Sequence, residues 1–132
     1  MSNLLIALLL TILLSCNSSK KTTENTTSKK EVELMQNLYR FNVSFISIGS
    51  GIDSKAKQAF IEFIRSFEEK NKVKIIYETA PWGREGETDF CFKLSDLNKG
   101  NQIKFIADSK DNLKNSKLVR FTENTTCKND RK

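Results

Sequence analysis

The chain has 132 residues, 38% hydrophobic and 29% charged, a balance that fits one soluble domain with an ordinary core. Histidine is absent, which removes the commonest general base and metal ligand, and Cys16, Cys91 and Cys127 stand too far apart for a CxxC redox or zinc motif. The formal charge of +6 comes mostly from lysines scattered along the chain, so it describes a solvated surface rather than a nucleic-acid footprint.

The first element is the apolar run "LLIALLLTILL", Leu4 to Leu14, interrupted only by Thr11. As a helix it spans about 16 Å, half of a bilayer's hydrocarbon core, so it predicts a signal-peptide core and not a membrane span. It closes in "LLSC", Leu13 to Cys16, which resembles the lipobox of bacterial lipoproteins. The resemblance implies diacylglycerol transfer to the Cys16 sulfur, cleavage between Ser15 and Cys16, and acylation of the new amine by a fatty acid such as palmitate. Two acyl chains anchor stably where one holds only marginally. The start "MSN" departs from the pattern in having no Lys or Arg, and an ordinary cleaved signal or an uncleaved anchor is the alternative. Asn17, in place of an aspartate after the lipidated cysteine, points to the outer membrane under the proteobacterial sorting rule. Export also argues against a nucleic-acid partner, and membrane contact through the lipid on Cys16 becomes the expectation.

Residues 1–15 therefore read as signal peptide and residues 16–33 as a lipidated, disordered tether. The stretch "NSSKKTTENTTSKKEVE" offers nothing to seed a core, and random-coil scaling gives it a span of roughly 20 to 25 Å. The folded domain is expected over residues 34–127, with a basic tail at 128–132.

In "LYRFNVSFISIG", Tyr39, Phe41, Val43 and Phe45 alternate with Arg40, Asn42 and Ser44, the period of a half-buried strand. Ile46 and Ile48 fall on the opposite parity, which suggests a bulge or burial on both faces. The period then becomes helical: Ala56, Ala59, Phe60, Phe63, Ile64 and Phe67 predict a helix over 54–71, capped by Asp53 or Ser54. Its charges oppose the macrodipole, so packing must stabilise it. "VKIIYET", Val73 to Thr79, predicts a second strand and "TDFCFKL" a third. Between Ser95 and Ser116, Leu97, Ile103, Ile106, Ala107, Lys110 and Leu113 approximate a second helical face. "KLVRFTEN" supplies a last strand, with Val119 and Phe121 inward.

Strand, helix, strand, strand, helix, strand is the split βαβ order. It predicts an α+β fold, a ferredoxin-like βαββαβ sandwich with a four-stranded antiparallel sheet and both helices on one face. The other face would carry Asn42, Ser44, Lys74, Ile76, Glu78, Asp89, Cys91, Lys93, Arg120 and Thr122, a mixed polar surface suited to a partner or a second copy.

Candidate sites are few. "IGSGIDS" lies between a strand and a helix, where backbone amides can hold an anion, but it lacks the third glycine of a dinucleotide loop and the lysine of a P-loop. "PWGREGE" joins two antiparallel strands and brings Trp82, Arg84, Glu85 and Glu87 together as candidate binding residues; its glycines and proline equally fit a hairpin turn. No catalytic residue, metal site or cofactor is predicted. Cys91 and Cys127 form a candidate disulfide in an exported protein, provided the end of the chain folds back over the sheet.

"SIGSGID", "PWGREGETDFC" and "ENTTC" together resemble small exported proteins of Bacteroidota with no assigned activity, a resemblance that brings no catalytic residues with it. The expectation is a non-catalytic lipoprotein of the cell envelope whose domain binds a small ligand or an envelope protein. Two alternatives stand beside it: a small enzyme or enzyme inhibitor using Arg84, Glu85 and Glu87, and a structural module that dimerises through its open sheet face.

Overall fold

A computed structural model describes residues 37–127. Cys16, the apolar run, the tether and the basic tail lie outside the described residues. Six elements follow one another: β1 (Leu38–Phe45), α1 (Ser54–Asn71), β2 (Tyr77–Pro81), β3 (Thr88–Phe92), α2 (Lys99–Asn112) and β4 (Val119–Thr126). The four strands form one sheet in the order β2-β3-β1-β4, with every neighbouring pair antiparallel. This is the ferredoxin-like α+β arrangement that the alternating periods predict. β1 and β2 both run against β3, which lies between them, so they are parallel to each other.

One aromatic core explains why both helices take the same side. All nine phenylalanines of the chain are buried in it or packed against it. Phe41, Val43 and Phe45 of β1 with Phe90 and Phe92 of β3 meet Phe60, Ile64 and Phe67 of α1 and Phe105 and Ile106 of α2. The rings prefer edge-to-face contact, as at Phe60–Phe90 (5.6 Å, 84°) and Phe67–Phe105 (5.2 Å, 78°). Each such ring contributes roughly 1.5 to 3 kcal/mol by burial, so the core outweighs the unfavourable charges of α1. The cap of α1 is Asp53, whose Oδ1 accepts the Ala56 N–H at 2.9 Å. The helix stops where Lys72 turns left-handed, at φ 52°.

Several expectations shift. α2 rotates its buried face to Phe105, Ile106 and Ser109, leaving Ile103 66% exposed and Ala107 and Lys110 outside. The helix begins only after the Asn98 cap, and its one ring, Phe105, takes the inward position against Phe92 at 5.1 Å. Ala59 of α1 likewise faces out. β1 ends at Phe45, so Ile48 is neither bulged nor doubly buried but 80% exposed in a loop. β2 starts at Tyr77 rather than Val73 and runs on to Pro81.

Tyr39 leaves the core that its parity assigns it and joins Ala80, Cys91 and Cys127 in a second, small cluster. The change of face coincides with a gap in the β1–β4 pairing, which skips Arg40 between Tyr39 and Phe41, at the level where Asn124 is left-handed (φ 54°).

Candidate functional site

The two ends of the sheet hold the candidate residues. At the hairpin end, β2 and β3 are joined through Trp82–Glu87, and the Trp82 N–H donates to the Glu87 carbonyl at 2.9 Å. Gly83 and Gly86 turn the chain at φ 68° and 89°. The Glu87 carboxylate bends back across this turn and accepts the Glu85 N–H at 2.9 Å, lying where a Cβ on Gly83 would collide with it. Trp82 anchors the same turn, its Nε1–H donating to Asp89 Oδ1 at 2.8 Å.

Glu85 reaches out of the hairpin to the loop after β1. Its carboxylate accepts from the Ser47 hydroxyl and, at 3.4 Å, from the Gly51 N–H. Ser47 Oγ in turn accepts the N–H groups of Gly49 at 3.0 Å and Gly51 at 3.1 Å. The Ser47 hydroxyl foremost, then the Gly51 amide, hold the Glu85 carboxyl below the ordinary glutamate range. The glycine loop thus receives its anion from its own chain. A carboxylate held ionised by fixed donors is also ill-suited to act as an acid near neutral pH. Lys57 Nζ ties α1 to this end through Thr88 Oγ1 at 3.1 Å, and Ser116 Oγ donates to Asp53 Oδ2 at 2.7 Å.

Of the four residues singled out in "PWGREGE", three therefore serve the hairpin itself. Trp82, Glu85 and Glu87 each bind a different internal partner and do not converge on a common point. Arg84 stands exposed at the apex and takes part in none of the contacts that pin the loop.

At the opposite end, Cys91 and Cys127 are joined by a disulfide, with their Cα atoms 5.9 Å apart. The return of the chain is guided by Asn42, which lies beside Cys91 in the sheet and donates through Nδ2 to Thr125 Oγ1 at 3.0 Å and the Thr126 carbonyl at 3.3 Å. The face expected to be open is consequently sealed along its middle: Asn42, Ala80, Asp89 and Cys91 are all buried. Only its margins, with Lys74, Ile76, Glu78, Lys93, Arg120 and Thr122, remain exposed.

One margin is concave. A groove of about 240 Å³ runs between β2 and the segment after β3, lined by Tyr39, Ile76, Tyr77, Glu78, Lys93 and Asp96, with Cys91 at its floor. Ile76 is 65% exposed and Tyr77 36%, and the Lys93 ammonium lies 5.4 Å from the centre of the Tyr39 ring. Alternation places Ile76, Glu78 and Lys93 on this face but not Tyr39, because the interruption of the β1–β4 ladder at Arg40 is invisible to a period of two. Asp96 carried no signal at all, since Leu94 turns left-handed (φ 58°) and redirects the chain.

Among the described residues, no group of three or more His, Cys, Asp or Glu side chains could hold a metal ion, and no described helix is long and apolar enough to cross a membrane. No protein-family model matches the chain, and neither the curated proteins nor the solved structures yield a match.

Proposed function

We propose that the chain is a non-catalytic lipoprotein of a bacterial cell envelope, anchored through lipid on Cys16, whose domain binds a polypeptide partner along β2 and the adjoining groove. The lipobox-like "LLSC" supports the anchor. One observation supports the binding surface: Ile76, immediately before the outer strand β2, is exposed at the groove, and Tyr77 beside it is partly exposed although its ring also packs on Phe90 and Phe92. An unpaired sheet edge with an exposed apolar residue beside a groove is a ready template for a second polypeptide. The acidic pair Glu85 and Glu87 supports the enzyme alternative less well, because both carboxylates are engaged in holding the hairpin and its neighbouring loop.

Ile103 is a built-in control, being as exposed as Ile76 but on α2. A photoreactive residue in place of Ile76 is expected to give a polypeptide adduct in the membrane fraction, and the same residue in place of Ile103 is not. Equal labelling at the two positions, or none at Ile76, would remove the binding reading. In the same cells Cys16→Ala should move the chain out of the membrane fraction; retention there would remove the anchor.

A further inference from the structure

We infer that the groove is occupied at rest by the chain's own segment 32–36, with Leu34 and Met35 packed on Ile76, so that the stretch leading to the anchor competes with the partner for one site; the inference rests on the binding reading above. What the groove can hold is the first argument. Its volume of about 240 Å³ lies below the usual range of a small-molecule pocket, so it suits one or two side chains. The backbone at its Ile76 rim is not free to add a strand, because the Val73 N–H donates to the Glu68 carbonyl at 3.1 Å and the Ile75 N–H to Glu68 Oε1 at 2.8 Å. Tyr77 turns its ring onto Phe90 and Phe92, with centres 5.7 and 5.3 Å away. Ile76, 65% exposed, is therefore the apolar group of the groove that most lacks cover.

The chain enters the fold beside this groove. β1 begins at the end of the sheet where β3 finishes, since Phe41 pairs with Phe92, and Tyr39, the second residue of β1, lines the groove. Leu34 precedes Tyr39 by five residues and Met35 by four, a reach of at most roughly 13 to 18 Å of extended chain. A segment tethered this closely has an effective concentration of about millimolar, so a contact too weak to hold a free peptide is still populated.

The composition of the segment supplies the occupant. Between Cys16 and Leu38 only Val32, Leu34 and Met35 are apolar, and they stand together just before the strand. The charges around them complement the groove, where Lys93 lies beside the Tyr39 ring and Glu78 and Asp96 complete the lining. With Leu34 on Ile76, the Glu33 carboxylate comes within reach of the Lys93 ammonium, and Lys29 and Lys30 within reach of Glu78. A partner then meets a groove that is open for only a fraction of the time, and its apparent affinity falls by that fraction.

Two measurements on the full chain test the inference. On mild oxidation in membranes, Leu34→Cys or Met35→Cys combined with Ile76→Cys is expected to form a disulfide within one chain, read as a linked peptide pair by mass spectrometry. The same substitutions combined with Ile103→Cys are not. In the same membranes, Leu34→Asp with Met35→Asp should raise capture of the partner by a photoreactive residue in place of Ile76 about threefold or more. No linkage above the Ile103→Cys control, or linkage only between two copies, overturns the docked segment. Linkage within one chain but unchanged capture overturns the competition. If linkage forms and nothing is captured with or without the Asp substitutions, the binding reading falls and the docked segment stands as part of the fold. If capture occurs without linkage, the binding reading survives alone.

Discussion

The hairpin end and the disulfide end close the same sheet by different means. At the hairpin end polar side chains turn inward onto backbone: Glu87 on its own turn, Glu85 and Ser47 on the glycine loop, Trp82 on Asp89. At the other end a covalent bond and the Asn42 amide do the closing, and apolar Ile76 is left outside. The richest chemistry in the sequence is thus spent on holding a turn, while the plainer segment presents a surface. An unusual composition can mark a demanding backbone as readily as a binding site.

The contrast can be broken by removing each closure in turn. Reducing the disulfide, or Cys127→Ala, deletes a cross-link between residues 36 positions apart; loop-closure entropy puts its contribution at about 4 kcal/mol, the largest effect expected. Urea unfolding of oxidised and reduced chain measures it, and a difference below about 1 kcal/mol would show that the Asn42 contacts suffice. Gly83→Ala strikes the hairpin end, combining a positive φ with a collision against the Glu87 carboxylate; about 1 to 2 kcal/mol should be lost in the same assay.

Protonation of Glu85 should have the smallest and most local effect. Because the Glu85 carboxyl is held below its ordinary range, its contacts are complete above the unfolded value and fade as pH falls through the lowered one. The Gly51 amide signal in NMR is therefore expected to titrate below the ordinary glutamate range, with the loop loosening only on the acid side. Titration at an ordinary glutamate value would mean that Ser47 and Gly51 do not hold Glu85 in solution.

These contrasts also explain what was legible in the sequence. Alternation in "YRFNVSF" and "TDFCF" and the helical recurrence of Phe60, Ile64 and Phe67 are local signals, and they sufficed for the element order and the sandwich. The pinning of Ser47 by Glu85 joins residues 38 apart, and no periodicity encodes it. The face of Tyr39 is not legible from alternation, because the β1–β4 ladder is interrupted at Arg40, opposite a left-handed Asn124 on another strand. Ile103 departs from expectation for a simpler reason: Phe105 fills the inward position of α2 and turns Ile103 to the surface.

The position of the disulfide has a mechanical consequence. Tension applied from the N-terminal side enters the described fold at Leu38, on a strand bonded to neighbours on both sides and directly opposite Thr126. The outer strand β4 would otherwise begin to peel at that point. Cys127, the next residue, is bonded to Cys91 two strands away, so a pull at this corner is carried across β1 into β3 instead of opening the sheet from its margin.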